Sequence, residues 1–278
     1  MINLGRALER AGSKLHYEDS GGERWPIVFT HGAGMDHRMF DAQATALHAA
    51  GYRVVRWDLR GHGVSTLAPG VRFDATAAMD DLAALLDHLA LDRPVLVGHS
   101  LGGNISQALV RRLPGRVGAL IVVGSTWNAG PLTRLERFLL GLAAPSLALI
   151  PASRLPGLMA RASAVTPVGI AEAEATFGRM PKALFLDVWR ATASLVAPEP
   201  GYRTPVPLGL IRGGRDRTGN IATAMPRWAV AEGTTERVIP DAGHLVTLDA
   251  PDTTTHTIRA LLDGWERDTG GIGGGSTR

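Results

Sequence analysis

The stretch Pro94-Val95-Leu96-Val97-Gly98-His99-Ser100-Leu101-Gly102-Gly103 decides how this chain is read. Its first half is a short apolar run bounded by Pro and Gly, which predicts a strand buried on both faces. Its second half opens a helical pattern that runs to about Leu113 and is stopped by Pro114-Gly115. A serine between strand and helix, flanked as G-x-S-x-G, is the setting of a nucleophile elbow. The sharp turn holds the hydroxyl clear of the sheet, and the helix N-terminus offers free N–H groups and a positive dipole end to a developing oxyanion. The motif alone is short, and the same serine is compatible with an ordinary helix cap, so the surrounding chain has to decide.

Moving outward, short apolar runs alternate with helical patterns. Pro26 to Thr30, Tyr52 to Trp57, Pro94 to Gly98 and Val117 to Val123 read as strands. Between them, Asp36 to Ala50 and Asp74 to Leu89 read as helices, with Asp74 placed as N-cap. This rhythm predicts parallel strands with helices on both faces. The segment through Asp19 reads as an antiparallel edge hairpin. From about Trp127 to Pro200 the rhythm breaks into Leu-, Ala-, Met- and Pro-rich helical sequence with no good strand. It then returns as strands Val206 to Ile211 and Thr235 to Ile239 and helices Ile221 to Val230 and Asp252 to Arg267. The expected organisation is a core of residues 1–126 and 201–278, with 270–278 a glycine-rich flexible tail, and a helical insertion of residues 127–200.

A serine hydroxyl needs a base. Of the nine histidines, His244 is expected to serve: it follows the last predicted strand in Asp241-Ala242-Gly243-His244, and loops at the carboxyl ends of parallel strands meet on the edge that carries Ser100. His62 is read as a loop-packing residue, and His16, His37, His48, His88 and His256 as surface residues. The base needs an orienting carboxylate. Asp216, in Gly213-Gly214-Arg215-Asp216 after another strand, lies at the same edge, whereas the loop Gly124-Ser125-Thr126-Trp127 has no acid. A turn aspartate paired with Arg215 or Arg217 is the other reading. For an oxyanion, one N–H donor is expected from Leu101, after the serine, and the second from Ala33 in His31-Gly32-Ala33-Gly34.

His31-Gly32-Ala33-Gly34, Asp58-Leu59-Arg60-Gly61-His62-Gly63-Val64-Ser65, Gly98-His99-Ser100-Leu101-Gly102-Gly103, Gly213-Gly214-Arg215-Asp216 and Gly243-His244, in this order, resemble the α/β-hydrolase fold superfamily. The resemblance covers roughly residues 15 to 265. It implies an α/β fold with an eight-stranded, mostly parallel, doubly wound sheet and a helical cap inserted before the strand that precedes the acid. It also implies a Ser100–Asp216–His244 triad. A serine nucleophile separates the chain from the haloalkane dehalogenases and epoxide hydrolases, which use aspartate, and its first loop differs from the glycine–proline loop of proline iminopeptidases. Asp249 stands where relatives often carry glutamate. Trp127, just after a strand, is the candidate substrate-pocket wall.

Composition bounds the alternatives. The 278 residues are 45% hydrophobic and 20% charged, ample for a sizeable core. Net charge is +3, and the basic residues are scattered arginines with Lys14 and Lys182 as the only lysines, without the clustered patch a nucleic-acid binder shows. With no cysteine and no H-E-x-x-H, neither metal nor other cofactor is expected. The first twelve residues lack the apolar run of a secretory signal, and the uncharged stretch Phe138 to Ser153 is shorter than a spanning helix and carries Pro145 and Pro151. The expectation is a cytoplasmic enzyme without membrane or nucleic-acid partners, acting on a small molecule, with the oligomeric state open. The expected reaction is hydrolysis of a small-to-medium apolar carboxylic ester or lactone through an acyl-enzyme. Carbon–carbon bond hydrolysis, acyl transfer and perhydrolysis on the same triad are the alternatives, along with a noncatalytic ligand-binding role.

Overall fold

In the computed structural model, residues 4–268 are described. The predicted glycine-rich tail lies outside them. Strands β1 (Arg6–Arg10) and β2 (Ser13–Asp19) form the expected antiparallel hairpin. Six further strands, β3 (Arg24–Thr30), β4 (Tyr52–Trp57), β6 (Val95–His99), β7 (Ala119–Val123), β8 (Leu208–Gly213) and β9 (Glu236–Ile239), pair in parallel. The order is β1-β2-β4-β3-β6-β7-β8-β9, with β2 antiparallel to β4. A ninth, two-residue strand β5 (Thr66–Leu67) adds to β2 and was not anticipated.

The central parallel strands β6 and β7 are buried along their whole length because helices cover both faces. Every residue of Val95–His99 and of Ala119–Val123 is buried. One core lies on the face covered by α2 (Ala75–His88), α3 (Leu101–Arg112) and α8 (Ile221–Glu232), around Leu82, Ile105 and Trp228. The other lies against α1 (Asp41–Ala49) and α10 (Pro251–Asp268), around Phe40, Leu47 and Ile258. Each side chain of this size, fully buried, stabilises the fold by about 1.5–3 kcal/mol before entropy is counted. Asp74 caps α2 as expected, accepting from the Ala77 amide at 2.8 Å. The helix expected from Asp36 is split: Asp36 caps a 3-10 turn, His37–Phe40, and α1 starts at Asp41.

Between β7 and β8 run α4 (Arg134–Ala148), α5 (Leu155–Ser163), α6 (Pro167–Phe177) and α7 (Lys182–Ser194). Pro145 sits inside α4. Phe177 and Phe185 belong to one of the two cores and Val188 to the other, so these helices are packed onto the sheet layers. Among the described residues no helix is long and apolar enough to cross a membrane.

The chain turns back at β3. It goes to β4 on one side and then crosses to β6 on the other. A crevice opens at such a switch point, outside the carboxyl ends of the strands. There the loop after β3 (His31 to Gly34) faces the turn after β6 (Ser100).

Candidate active site

Ser100 stands between β6 and α3 in a strained conformation, φ 50° and ψ −115°. A non-glycine residue holds such angles only where its surroundings enforce them. Here they do: the Ser100 amide donates to Val123 O of the neighbouring strand, and its carbonyl accepts from the Asn104 amide and the Ser125 hydroxyl. The flanking glycines let the turn close. A Cβ on Gly98 would stand 2.4 Å from Gly102 O, and one on Gly102 would stand 2.1 Å from Thr30 O. These contacts, rather than the serine itself, are why the motif needs glycine on both sides.

The loop after β3 is pinned by His31, which is fully buried. Its Nδ1–H donates to Gly32 O at 2.8 Å and its Nε2 accepts from the Leu59 amide at 3.0 Å. Burial lowers the pKa of this ring, with Asp58 opposing, and both bonds fit the neutral form. The amides of Ala33 and Leu101 donate to no backbone carbonyl among the described turn and loop bonds. Both residues flank Ser100, one across the crevice and one next in sequence.

Asp216 and His244 meet from the turns after β8 and β9, with His244 Nδ1–H donating to Asp216 Oδ2 at 2.9 Å. Asp216 also accepts from the Thr218 amide at 2.8 Å. Burial pushes the Asp216 carboxyl up, but the His244 ring and the bonds to His244 and Thr218 outweigh it and hold the group below the usual carboxylate range. The aspartate therefore orients the ring as an anion and leaves Nε2 bare. Neither Arg215 nor Arg217 pairs with it, which removes the simple turn-aspartate reading. Ser100, His244 and Ala33 line one cavity of about 500 Å³. No hydrogen bond joins Ser100 to His244 here; such contacts commonly tighten only with substrate bound.

Several residues the sequence left in the background shape this site. His99 is buried and lines the same cavity as Ser100 and His244. Its Nε2–H donates to the backbone carbonyl of His244 at 3.0 Å, and the two rings lie 4.6 Å apart. Burial, with the neighbouring His244, pushes its pKa down to about 3, so it stays a neutral donor. Asp249 accepts from the amides of Val165 and Thr166, from the Thr166 hydroxyl and from the Gly243 amide. It thus ties the α5–α6 connection to the residue before His244. His37 is buried, not a surface residue: its amide and Nδ1 both donate to Asp58. His62 packs inside its loop as read, against His31 and Phe73.

Trp127 is placed away from Ser100. Gly124, at φ 52°, turns the chain so that Thr126 lines a cavity with Ser100, while Trp127 stacks flat on Trp228 with ring centroids 6.0 Å apart. The tryptophan that lines the cavities at Ser100 is Trp189, from α7. The sequence signal for it was present only as one of many apolar residues in the insertion. Among the described residues no three His, Cys, Asp or Glu side chains stand together as metal ligands.

Strand order, elbow and loop sequence agree with a family match: the alpha/beta hydrolase family model fits residues 27–256, and the chain belongs to that family. A non-heme haloperoxidase of Rhodococcus erythropolis is 39% identical over 116 residues, 41% of each chain. A 2-hydroxy-6-oxononadienedioate/2-hydroxy-6-oxononatrienedioate hydrolase of Burkholderia vietnamiensis is 38% identical over 120 residues, 40% of each. These matches span about two-fifths of the relatives' length. A thermophilic esterase from Thermogutta terrifontis has a similar structure, with TM-score 0.76 and 26% identity over 91% of this chain and 94% of that one.

Proposed function

We propose that the protein is a cofactor-independent serine hydrolase that cleaves a carboxylic ester or lactone with an apolar acyl part through an acyl-enzyme. One observation carries the reading: a strained, glycine-flanked Ser100 shares a cavity with His244, whose Nδ1–H is held by the Asp216 carboxylate at 2.9 Å. Ser100 Oγ attacks the carbonyl carbon while His244 Nε2 takes its proton. The Ala33 and Leu101 amides hold the tetrahedral oxyanion, each worth on the order of 10²–10³ in rate. The C–O bond breaks and His244 returns the proton to the leaving oxygen. Water, deprotonated by the same nitrogen, then attacks the acyl-enzyme and releases the acid. In this reading residues 127–200 act as a cap over a core of 1–126 and 201–278, with Trp189 in place of Trp127 as the pocket wall.

Initial rates on p-nitrophenyl esters from acetate to palmitate, with Ser100→Ala alongside, test it. Turnover that vanishes in the variant is expected, with a rate maximum at the chain length the cavity holds. Equal rates in the two proteins would end the proposal. The carbon–carbon hydrolase among the relatives keeps that reaction as the second reading, because the same serine and base serve an attack on a ketone carbonyl.

A further inference from the structure

Ser100 stands where two cavities join, and the two differ in chemistry. Both are lined by Ser100, Ala33, Thr218 and Trp189. The first, about 500 Å³, also contains His244 and three arginines, Arg161, Arg215 and Arg217. The second, about 400 Å³, lacks His244 and is lined by Leu132, Leu140 and Ile221, with Glu136 as its one charged residue.

The arginines are not equivalent. Arg161 is committed to Glu174 and to Gly157 O. The side chains of Arg215 and Arg217 form no ion pair or hydrogen bond among the described residues, although they flank Asp216 in sequence. Asp216 itself is covered and engaged with His244 and Thr218, so it does not neutralise the cavity wall. Glu136, in the other cavity, is held by the Thr133 amide and hydroxyl and by Asn220, which keeps it below the usual carboxylate range and negative.

Resting on the hydrolase reading above, we propose that the two cavities divide the substrate at the scissile bond. The apolar branch takes the acyl chain, and the arginine branch takes an anionic leaving group, its carboxylate or equivalent anion paired with Arg215 and Arg217. The position of His244 sets the direction. The leaving oxygen receives its proton from His244 Nε2, so the leaving group departs through the cavity that His244 lines. The acyl group stays bonded to Ser100 Oγ in the other. Water enters by the side the leaving group vacates, gives its proton to His244 and closes the cycle with Ser100 reprotonated. Charge agrees with this direction. An anion in the leaving-group branch meets two unpaired guanidinium groups, and an anion in the acyl branch meets Glu136.

The test compares para-butyryloxybenzoate with its methyl ester, two butyrates with the same acyl group whose leaving groups differ in charge and by one methyl group. Each kcat/KM is divided by the ester's own rate with hydroxide. The anionic ester is expected to be favoured by about tenfold at low salt, the size two partly solvated ion pairs supply together, and the preference should shrink as salt is raised. In R215Q/R217Q the ratio should collapse towards one, and in R215K/R217K it should be kept in part. Because the ratio compares two substrates on one protein, damage to the nearby Asp216 cancels. A ratio near one in the parent, or one unchanged in R215Q/R217Q, would overturn the assignment. So would a preference for p-nitrophenyl hemisuccinate over p-nitrophenyl butyrate, which puts the anion on the acyl side. Loss of Ser100-dependent turnover of every ester would instead sink the hydrolase reading, and this inference with it.

Discussion

The loops at the carboxyl edge of the sheet and the helices inserted between β7 and β8 are built on different principles. In the loops many of the buried polar groups are tied to one another. His31 uses both ring nitrogens, Asp58 accepts from His37 twice and from the Val64 amide, and Arg60 grips buried Asp81 with two bonds. The inserted helices are joined to the rest mostly by apolar packing and leave Leu135, Phe138 and Leu149 exposed. Their polar ties include Asp249 to 165–166, the Leu245 amide to Ser163 O at 2.9 Å, Asn220 to Glu136, Arg179 to Asp36, and Arg72 to Asp187. On the proposed reading the edge loops hold the reacting groups to fixed geometry, because a reacting atom displaced by 1 Å can cost ~10²-fold in rate. The insertion supplies walls such as Trp189 and Leu140, where a change of residue alters fit without disturbing the reacting atoms.

The largest effect that would break this comparison lies in the loops. Ser100→Ala and His244→Ala should each lower kcat by about 10⁴–10⁶, and the double variant should be little worse than either, because members of such a unit are not additive. Asp216→Asn should cost about 10⁴, since the amide favours the wrong tautomer of His244. Multiplying losses, measured by ester turnover with circular dichroism as the folding control, would mean that the three do not act together.

A smaller effect tests the seam between the two regions. Asp249→Asn turns an N–H₂ towards amides that now donate to a carboxylate, and should lower kcat by about tenfold through His244 while costing about 1–3 kcal/mol of stability. Asp249→Glu should recover part of both. A stability loss with unchanged kcat would show that the seam carries no catalytic geometry.

The mildest effect is on pH and stability. His62 and His99 are held down to about 3 by burial. Their unfolded-state value is about 6.5, so below that pH the unfolded chain takes up protons that the folded one refuses. Stability should therefore be flat above about pH 6.5 and fall as pH drops towards 3, by about 1.4 kcal/mol per pH unit for each ring. The lowered Asp216 and Asp58 contribute in the same direction only further down: their stabilisation is present above about pH 4 and is lost as pH falls through their folded values. Urea midpoints across this range check the slope, and His99→Gln should flatten it. A midpoint unchanged from pH 7 to 5 would contradict buried, neutral rings.

Local chemistry made much of this protein legible in one dimension. Continuous Val, Ile and Leu runs marked the strands buried on both faces, and glycines on either side of Ser100 marked a turn with no room for Cβ atoms. The order of Ser100, Asp216 and His244 pointed to one sheet edge, because parallel strands must end together. The tertiary structure decided what depends on which way a side chain turns after a strand ends. The left-handed turn at Gly124 goes with Trp127 stacked on Trp228, and the tryptophan lining the cavities at Ser100 is Trp189, some sixty residues away. His37 looked like a surface residue because nothing nearby in sequence shows that Asp58 lies above it. The same holds for Asp249 and the α5–α6 connection, and for the two cavities at Ser100. These features arise where segments distant in the chain meet, and periodicity along one segment carries no record of what will be packed against it.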